Sequence, residues 1–186
     1  KRITEVKKDI PSHAIYKAWK MVPRNHPDYY AFDLISDVLA NGDSSRLFQN
    51  LLKEKKLFTN IDAYITGELD EGMLIVSGNL SDGVSMSEAE QAIDEEITQL
   101  KEHLVDEREL QKVKNKIEAS TEFQEISGIN KTYLLSYFEL LGDASDINKQ
   151  VDKYRQVSTE DIRRVAKNHL TEEKSSVLHY LSEHKS

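Results

Sequence analysis

The side chains that could do chemistry in this sequence are carboxylates, histidines and serines, because the chain contains no cysteine. A helical zinc site of the hydrolase type needs two histidines one turn apart, with a glutamate beside one of them as the base. None of the six histidines meets this spacing. His103 precedes Asp106 and Glu107, but it lies at a predicted boundary between two helices, and we interpret it as a solvated helix end. His179 and His184, in the last predicted strand and the tail, are interpreted as surface residues.

The carboxylates and serines give no convincing catalytic arrangement. Asp94, Glu95 and Glu96 are adjacent, but such groups become catalytic when burial shifts their pKa values, and these fall on a predicted polar helix face. Ser44 lies in GDSSR, which lacks the G-x-S-x-G nucleophile elbow, and it is more naturally a helix N-cap. No activity is therefore expected from this chain alone. An independent hydrolase based on Asp, Glu or Ser stays open as an alternative.

The amino-acid composition argues against two classes of binding partner. Asp and Glu number 33 against 25 Lys and Arg, for a formal charge of −8, which argues against binding to nucleic acid or to an anionic membrane surface. No apolar run approaches the roughly 18 residues that cross a bilayer, so membrane insertion is not expected. The compartment stays undecided. With 186 residues and no linker, we expect a single domain over 1–186. The charged start, KRITEVKKDIPS, suggests a fragment of a longer chain.

The elements that must position any site follow from hydrophobic periodicity. Strands are predicted over His13–Met21, Asn60–Thr66, Met73–Leu80 and Ser176–Leu181, with a further short strand over Ile3–Val6. Helices are predicted from Asn25–Pro27 to Asn41, from Ser44 past Leu52, from Ser85 to Leu104, from Asp106 past Ile117, and over Tyr133–Leu141, Ile147–Val157 and Ser158–Leu170. This order predicts an α+β fold, in which helices pack on one side of a mostly antiparallel sheet.

One long stretch resembles the pitrilysin/insulinase family of zinc metallopeptidases, which includes mitochondrial processing peptidase. It is Gly42 to Leu80, which reads GDSSRLFQNLLKEKKLFTNIDAYITGELDEGMLIVSGNL. Three flanking segments resemble the family in the same order: HPDYYAFDLISDVLANG, DERELQKVKNKI and STEDIRRVAKNHL. The resemblance covers nearly the whole chain.

This resemblance implies a metal-free half. Family members are built from paired homologous halves that close around a peptide, with zinc bound in one half by HxxEH and a downstream Glu. The other half is metal-free and completes the substrate chamber. Here the predicted helix Asp28 to Asn41 occupies the position of HxxEH and contains no histidine. The chain is thus expected to bind no cofactor itself, with zinc in a homologous half of the same or another chain.

The resemblance also points to substrate-facing positions. The metal-free half often supplies an Arg and a Tyr, seven residues apart, that reach the substrate near the zinc. In LLKEKKLFT, Leu52 occupies the Arg position and Thr59 the Tyr position, and neither side chain can repeat that chemistry. Two alternatives stay open. Either another residue such as Tyr64 contributes to the transition state, or this half supplies only shape and binding area.

Two functions are compatible with the resemblance. In the first, the domain is the non-catalytic half of a zinc-dependent metalloendopeptidase, which helps to enclose peptide substrate and contacts the zinc-bearing half. In the second, it is a catalytically silent structural domain, as in the core subunits of respiratory bc complexes. The feature that discriminates them is whether the neighbouring half retains HxxEH.

Overall fold

The computed structural model describes residues 1–67 and 69–183, and within these ranges five strands form one sheet. The strands are β1 Arg2–Lys8, β2 Ala14–Lys20, β3 Phe58–Ile65, β4 Met73–Leu80 and β5 Ser175–Ser182. Their spatial order is β1-β5-β2-β4-β3, so β1 and β3 are the edge strands. β1 and β5 are parallel, whereas the other three pairs are antiparallel. The prediction of a mostly antiparallel sheet is confirmed.

Helices make up most of the remaining chain. They are α1 Tyr29–Ala40, α2 Met86–Glu102, α3 Glu107–Ile126, α4 Gly128–Leu141, α5 Gln150–Gln156 and α6 Thr159–His169. Short 3₁₀ helices cover Ala144–Lys149 and Glu172–Lys174, and a π-helix covers Leu47–Glu54. α1 packs on β3, and α2 packs on β2 and α6. The α+β prediction, with helices on one side of the sheet, is confirmed.

The core lies between the sheet and these helices because each central strand alternates. In β2, Ile15 and Trp19 are buried on the helix side, whereas Tyr16 points to the other face. α1 contributes an apolar stripe that includes Phe32 and Ile35, both fully buried. Burial of one such side chain stabilises the fold by about 1.5 to 3 kcal/mol, so this layer holds the helices against the central strands.

Side-chain caps set several helix starts as the sequence predicts. Ser85 Oγ accepts a hydrogen bond from the Glu88 N–H at the start of α2. Ser158 and Asp161 form a reciprocal capping box at the start of α6. Both arrangements satisfy N–H groups that have no partner inside a helix.

Other boundaries differ from the predictions. α1 begins at Tyr29 rather than near Pro27, because the Tyr29 N–H closes a turn onto the His26 carbonyl. Ser44 is not an N-cap: its Oγ accepts a hydrogen bond from Lys112 Nζ at 2.7 Å, and the segment that follows is π-helical. α4 begins at Gly128 rather than at Tyr133.

Candidate functional site

Among the described residues, one face of the sheet carries no helical layer, and we call it the open face. It contains Tyr16, Ala18, Tyr64, Ile75 and Leu178, which the strand register places in rows across four strands. Ala18 pairs with Ile75, which pairs with Tyr64. Tyr16 pairs with Leu178, and Tyr16 and Tyr64 are 40% and 41% exposed. The open face therefore presents aromatic and aliphatic side chains.

The three positions expected to face substrate fall in different environments. Tyr64 lies on the open face, at the edge strand β3. Thr59 is exposed on the same strand at an irregularity of the β3–β4 register, and its Oγ1 donates to the Asn79 carbonyl at 3.3 Å. Leu52 lies in the π-helix and packs partly buried against the core. Thr59 and Tyr64 thus share one strand, whereas Leu52 belongs to the helical side.

The helix at the zinc-motif position carries carboxylates but no imidazole. Asp33 and Asp37 of α1 are both enclosed, and burial raises the pKa of each, that of Asp37 to about 6. Asp33 accepts a hydrogen bond from the Tyr154 hydroxyl. Among residues 1–67 and 69–183, no three His, Asp or Glu side chains are grouped so that they could hold a metal ion.

A buried ionic cluster under β2 was not anticipated from the sequence. Lys17 is 0% exposed, and its Nζ lies 3.1 Å from Glu90 Oε1 and 2.6 Å from Asp94 Oδ1. Glu90 also contacts Lys1 Nζ at 2.7 Å and His179 Nε2 at 3.0 Å. Burial opposes ionisation of Glu90, but the hydrogen bonds from Lys1 and Lys17 outweigh it and lower its pKa to about 2. These contacts join β2, β5 and α2.

Two interpretations of polar residues are wrong as a result. The sequence predicts a surface position for His179, but its side chain is only 12% exposed because it packs against Glu90 of α2. His184, for which the same is predicted, lies outside the described residues. Glu96 was placed on a polar helix face, but it is 7% exposed and accepts a hydrogen bond from Asn50 Nδ2 at 2.8 Å. In both cases the partner lies far away in sequence, so local pattern could not reveal it.

A second exposed surface lies on the pair of helices α3 and α4. We call it the α3–α4 patch; it consists of Phe123, Ile126, Ile129, Tyr133 and Leu140. Their exposure ranges from 68% for Tyr133 to 84% for Ile129. Within α4, Ile129, Tyr133 and Leu140 recur at helical spacing and so lie along one face. Grouped large apolar side chains at this exposure are typical of an interaction surface.

Comparison with known proteins identifies the family. Residues 1–117, more than half of the 186, match the model described as Peptidase M16 inactive domain. The chain belongs to this family. Its members form the inactive, C-terminal type of domain in zinc protease-like proteins, so the expectation of a non-catalytic half is confirmed, and the absence of a bound metal stays a prediction. No curated protein sequence matches the chain.

Solved structures share the fold of this inactive domain at low sequence identity. A protease from Helicobacter pylori superimposes with a TM-score of 0.89 at 20% identity, over 96% of this chain and 43% of that one. An inactive peptidase domain from Bordetella parapertussis gives 0.85 at 20%, over 97% and 96%. A chain of complex III2 from Candida albicans gives 0.80 at 14%, over 94% and 44%. The inactive domain thus spans less than half of the first and third chains.

The described part of the inactive domain also contains no helix with the length and apolarity that a bilayer crossing requires. The open face and the α3–α4 patch are two exposed apolar surfaces of the described residues. On the open face, the sequence analysis singles out Tyr64 but neither Tyr16 nor Ile75, and a role for Tyr64 stays a prediction. The period-two alternation of β2 and β4 is the signal that would have placed them together.

Proposed function

We propose that this domain is the non-catalytic half of a zinc-dependent metalloendopeptidase, and that its open face forms part of the wall around the peptide substrate. In the complete protein, a homologous half would bind zinc, and zinc-activated water would hydrolyse the peptide bond. The observation that carries the proposal is the open face itself. The face that carries Tyr16, Tyr64 and Ile75 presents aromatic and aliphatic side chains, and an extended peptide lying on it would cover them.

The partner half is proposed to contact the α3–α4 patch. Five large apolar side chains there have no covering layer among the described residues, and association with another protein surface would remove them from water. The neighbours from Helicobacter pylori and Candida albicans are more than twice as long as the part matched here, which leaves room for a second half in those proteins. By analogy, residues 1–186 are one half of a larger assembly, joined in cis or in trans.

The sequence leaves two roles open for this half: a direct side-chain contact with substrate, or shape and binding area alone. The positions Leu52, Thr59 and Tyr64 differ in which role they fit. Leu52 supports the fold from inside, and Thr59 is too short to reach far from the strand. Tyr64 has a hydroxyl on an exposed ring and is the one of the three that could donate to a bound peptide. We infer that this half acts mainly by shape and binding area, with Tyr64 as a direct contact.

Cysteine labelling tests this proposal cleanly because the chain has no cysteine of its own. Tyr64→Cys is labelled with an environment-sensitive fluorophore in the complete protein, with any cysteines of the other half replaced. Peptide substrate is then added in the presence of a chelator to prevent cleavage. Saturable quenching or a spectral shift is expected at position 64. Arg155→Cys, exposed on α5, serves as the control and should not respond. Equal responses, or none at position 64, would contradict the proposal.

The proposed contact between the α3–α4 patch and the zinc-bearing half has its own test. Ile129→Asp introduces a charge into the α3–α4 patch and is expected to weaken association with the zinc-bearing half by at least about tenfold. Asn130→Asp adds the same charge at the next, exposed position of α4 and should have little effect. Binding is measured by calorimetry with the two halves as separate chains. If both variants bind like the parent, the patch is not the contact.

A second candidate function is a structural domain in an assembly without proteolysis. The likeness to a chain of complex III2 from Candida albicans favours it, although at 14% identity that likeness concerns the fold. The two candidates differ in the partner half. Zinc analysis of the complete protein separates them: about one zinc per pair of halves supports the peptidase, whereas a metal-free pair without HxxEH supports the structural role.

A further inference from the structure

A cavity of about 550 Å³ lies on the helical side of the sheet, where the chain enters α1 and meets α4, α5 and α6. Its apolar wall includes Ala31, Phe138, Leu141 and Val157. The volume falls within the range of about 300 to 1,000 Å³ that is usual for small-molecule sites. Because the cavity is on the opposite side from the open face, it is separate from the surface proposed to meet peptide.

Arg24 lines this cavity, and its side chain is buried, which is unusual for a cation. Only 8% of the residue is exposed, and its Nη1 is buried without a hydrogen-bond partner among the described residues. The guanidinium carbon lies 4.1 Å from the ring centroid of Tyr29 and 5.4 Å from that of Tyr30. The rings and the Tyr29 hydroxyl stabilise the charge in part, but they do not supply the two parallel oxygen acceptors with which a carboxylate pairs with a planar guanidinium. An enclosed guanidinium with an unused donor is costly unless something else pairs with it.

The other cations around the cavity already have carboxylate partners. Arg164 donates to both oxygens of Asp28, at 2.7 and 3.1 Å, and to Asp161 at 3.0 Å. Lys153 lies 3.4 Å from Asp146. These three lining carboxylates and two lining cations form local pairs, and Arg24 is left beside aromatic rings.

The nearby buried carboxyl of Asp33 is already engaged by another group. It accepts a hydrogen bond from the Tyr154 hydroxyl, and burial raises its pKa. Among the described residues, the cavity thus combines an apolar wall, one cation without an ion-pair partner, and a rim that carries three aspartates.

We propose that this cavity binds a small organic monocarboxylate with an apolar body. The carboxylate pairs with the Arg24 guanidinium, and the body packs against Phe138, Leu141 and Val157. A single cation matches a single negative charge, and the rim aspartates Asp28, Asp146 and Asp161 disfavour a multiply charged anion such as a phosphate ester.

The test uses 3-phenylpropionate as the probe and 3-phenylpropanamide as its neutral counterpart of the same shape. Each is titrated into the isotope-labelled chain, and amide chemical shifts are followed by NMR. Saturable shifts centred on the cavity residues are expected for the acid, with binding at least about tenfold weaker for the amide. Equal affinity for acid and amide, or no saturable binding at millimolar concentration, would overturn the proposal.

Variants locate the binding. Arg24→Met keeps an apolar chain of similar length and is expected to weaken binding of the acid by at least about tenfold, whereas Arg108→Met, at an exposed position of α3, should leave it unchanged. Gln156→Trp provides a check that does not touch the buried arginine, because Gln156 lines the cavity from an exposed position. Its indole is expected to obstruct entry and abolish acid binding. Unchanged binding in either cavity variant would show that the acid binds elsewhere.

Discussion

Replacing Lys17 by Met tests the buried ionic cluster that joins the sheet to α2. Lys17 is fully buried, so the substitution leaves Glu90 and Asp94 facing an apolar side chain. Removing one partner from a buried ion pair costs about 3 to 5 kcal/mol. Asp94 is 42% exposed and can be hydrated, and Glu90 keeps its contact with Lys1, so the lower end applies. We expect a loss of about 3 kcal/mol in the free energy of unfolding at pH 7.

The pH dependence gives this prediction a second readout. The pKa of Glu90 is about 2 in the folded chain against an ordinary 4.5. Since one pKa unit corresponds to about 1.4 kcal/mol, about 3 kcal/mol of stability rests on this carboxylate being ionised. That stability is present above pH 4.5 and is lost as pH falls toward 2, because the unfolded chain then binds a proton that the folded chain does not. Without Lys17 the folded pKa moves back toward 4.5, so this dependence weakens.

The assay is urea unfolding followed by circular dichroism at pH 7 and at pH 3. The deficit of Lys17→Met relative to the parent should be smaller at pH 3 by about 1 to 2 kcal/mol. Lys20→Met is the matched control, because Lys20 lies on the same strand with its side chain 83% exposed. It should change stability by less than about 0.5 kcal/mol. If Lys17→Met costs no more than Lys20→Met, the cluster does not stabilise the fold as argued.

Two further predictions concern backbone packing and a buried acid. Gly78→Ala should lower the free energy of unfolding by about 1 to 3 kcal/mol, because a Cβ there would lie 2.7 Å from Phe58 Cδ1 and 2.8 Å from the Asn60 carbonyl oxygen. Asp37→Asn should gain about 1 to 2 kcal/mol relative to the parent on going from pH 4 to pH 8, after allowance for partial solvent screening. Burial raises the pKa of Asp37 to about 6, so the parent loses stability as pH rises toward that value.

Both are measured by urea unfolding. Gly128→Ala is the control for the glycine substitution, since a Cβ at that position meets nothing within 4 Å, and it should be neutral or slightly stabilising. Equal effects at positions 78 and 128 would contradict the packing argument. For Asp37→Asn, a stability difference that does not change with pH would show that the acid is not forced toward its neutral form.

Local pattern predicted the sheet well because its signals are short-range. The alternation in HAIYKAWKM places Ile15 and Trp19 on one face and Tyr16 on the other, as observed. Period two also puts Lys17 on the buried face, but its partners Glu90 and Asp94 are 73 and 77 residues away. No local rule connects them, so the cluster emerges only when β2 meets α2.

The apolar residues on α3 and α4 show a second limit of prediction from sequence, which concerns burial. Tyr133 lies in a predicted helix rich in large apolar residues, yet it is 68% exposed, and Ile129 one turn earlier is 84% exposed. Hydrophobic periodicity predicts that a helix has an apolar face, but it does not predict whether that face packs inside the same domain or against another protein. The helix that carries Leu52 also differs from an ordinary one. It is a π-helix, which the sequence pattern does not predict, and Leu52 packs partly buried against the core. Whether Leu52 faces substrate stays a prediction.

The most direct test of the central claim is hydrolysis of a quenched peptide by the zinc-bearing half, assayed with and without this chain. The two halves are produced as separate chains, zinc is supplied, and kcat/KM is measured as a function of the concentration of this chain. The account predicts low activity for the zinc half alone, a saturable rise as the inactive domain is added, and no activity from the inactive domain by itself. Equal kcat/KM with and without the inactive domain would contradict it.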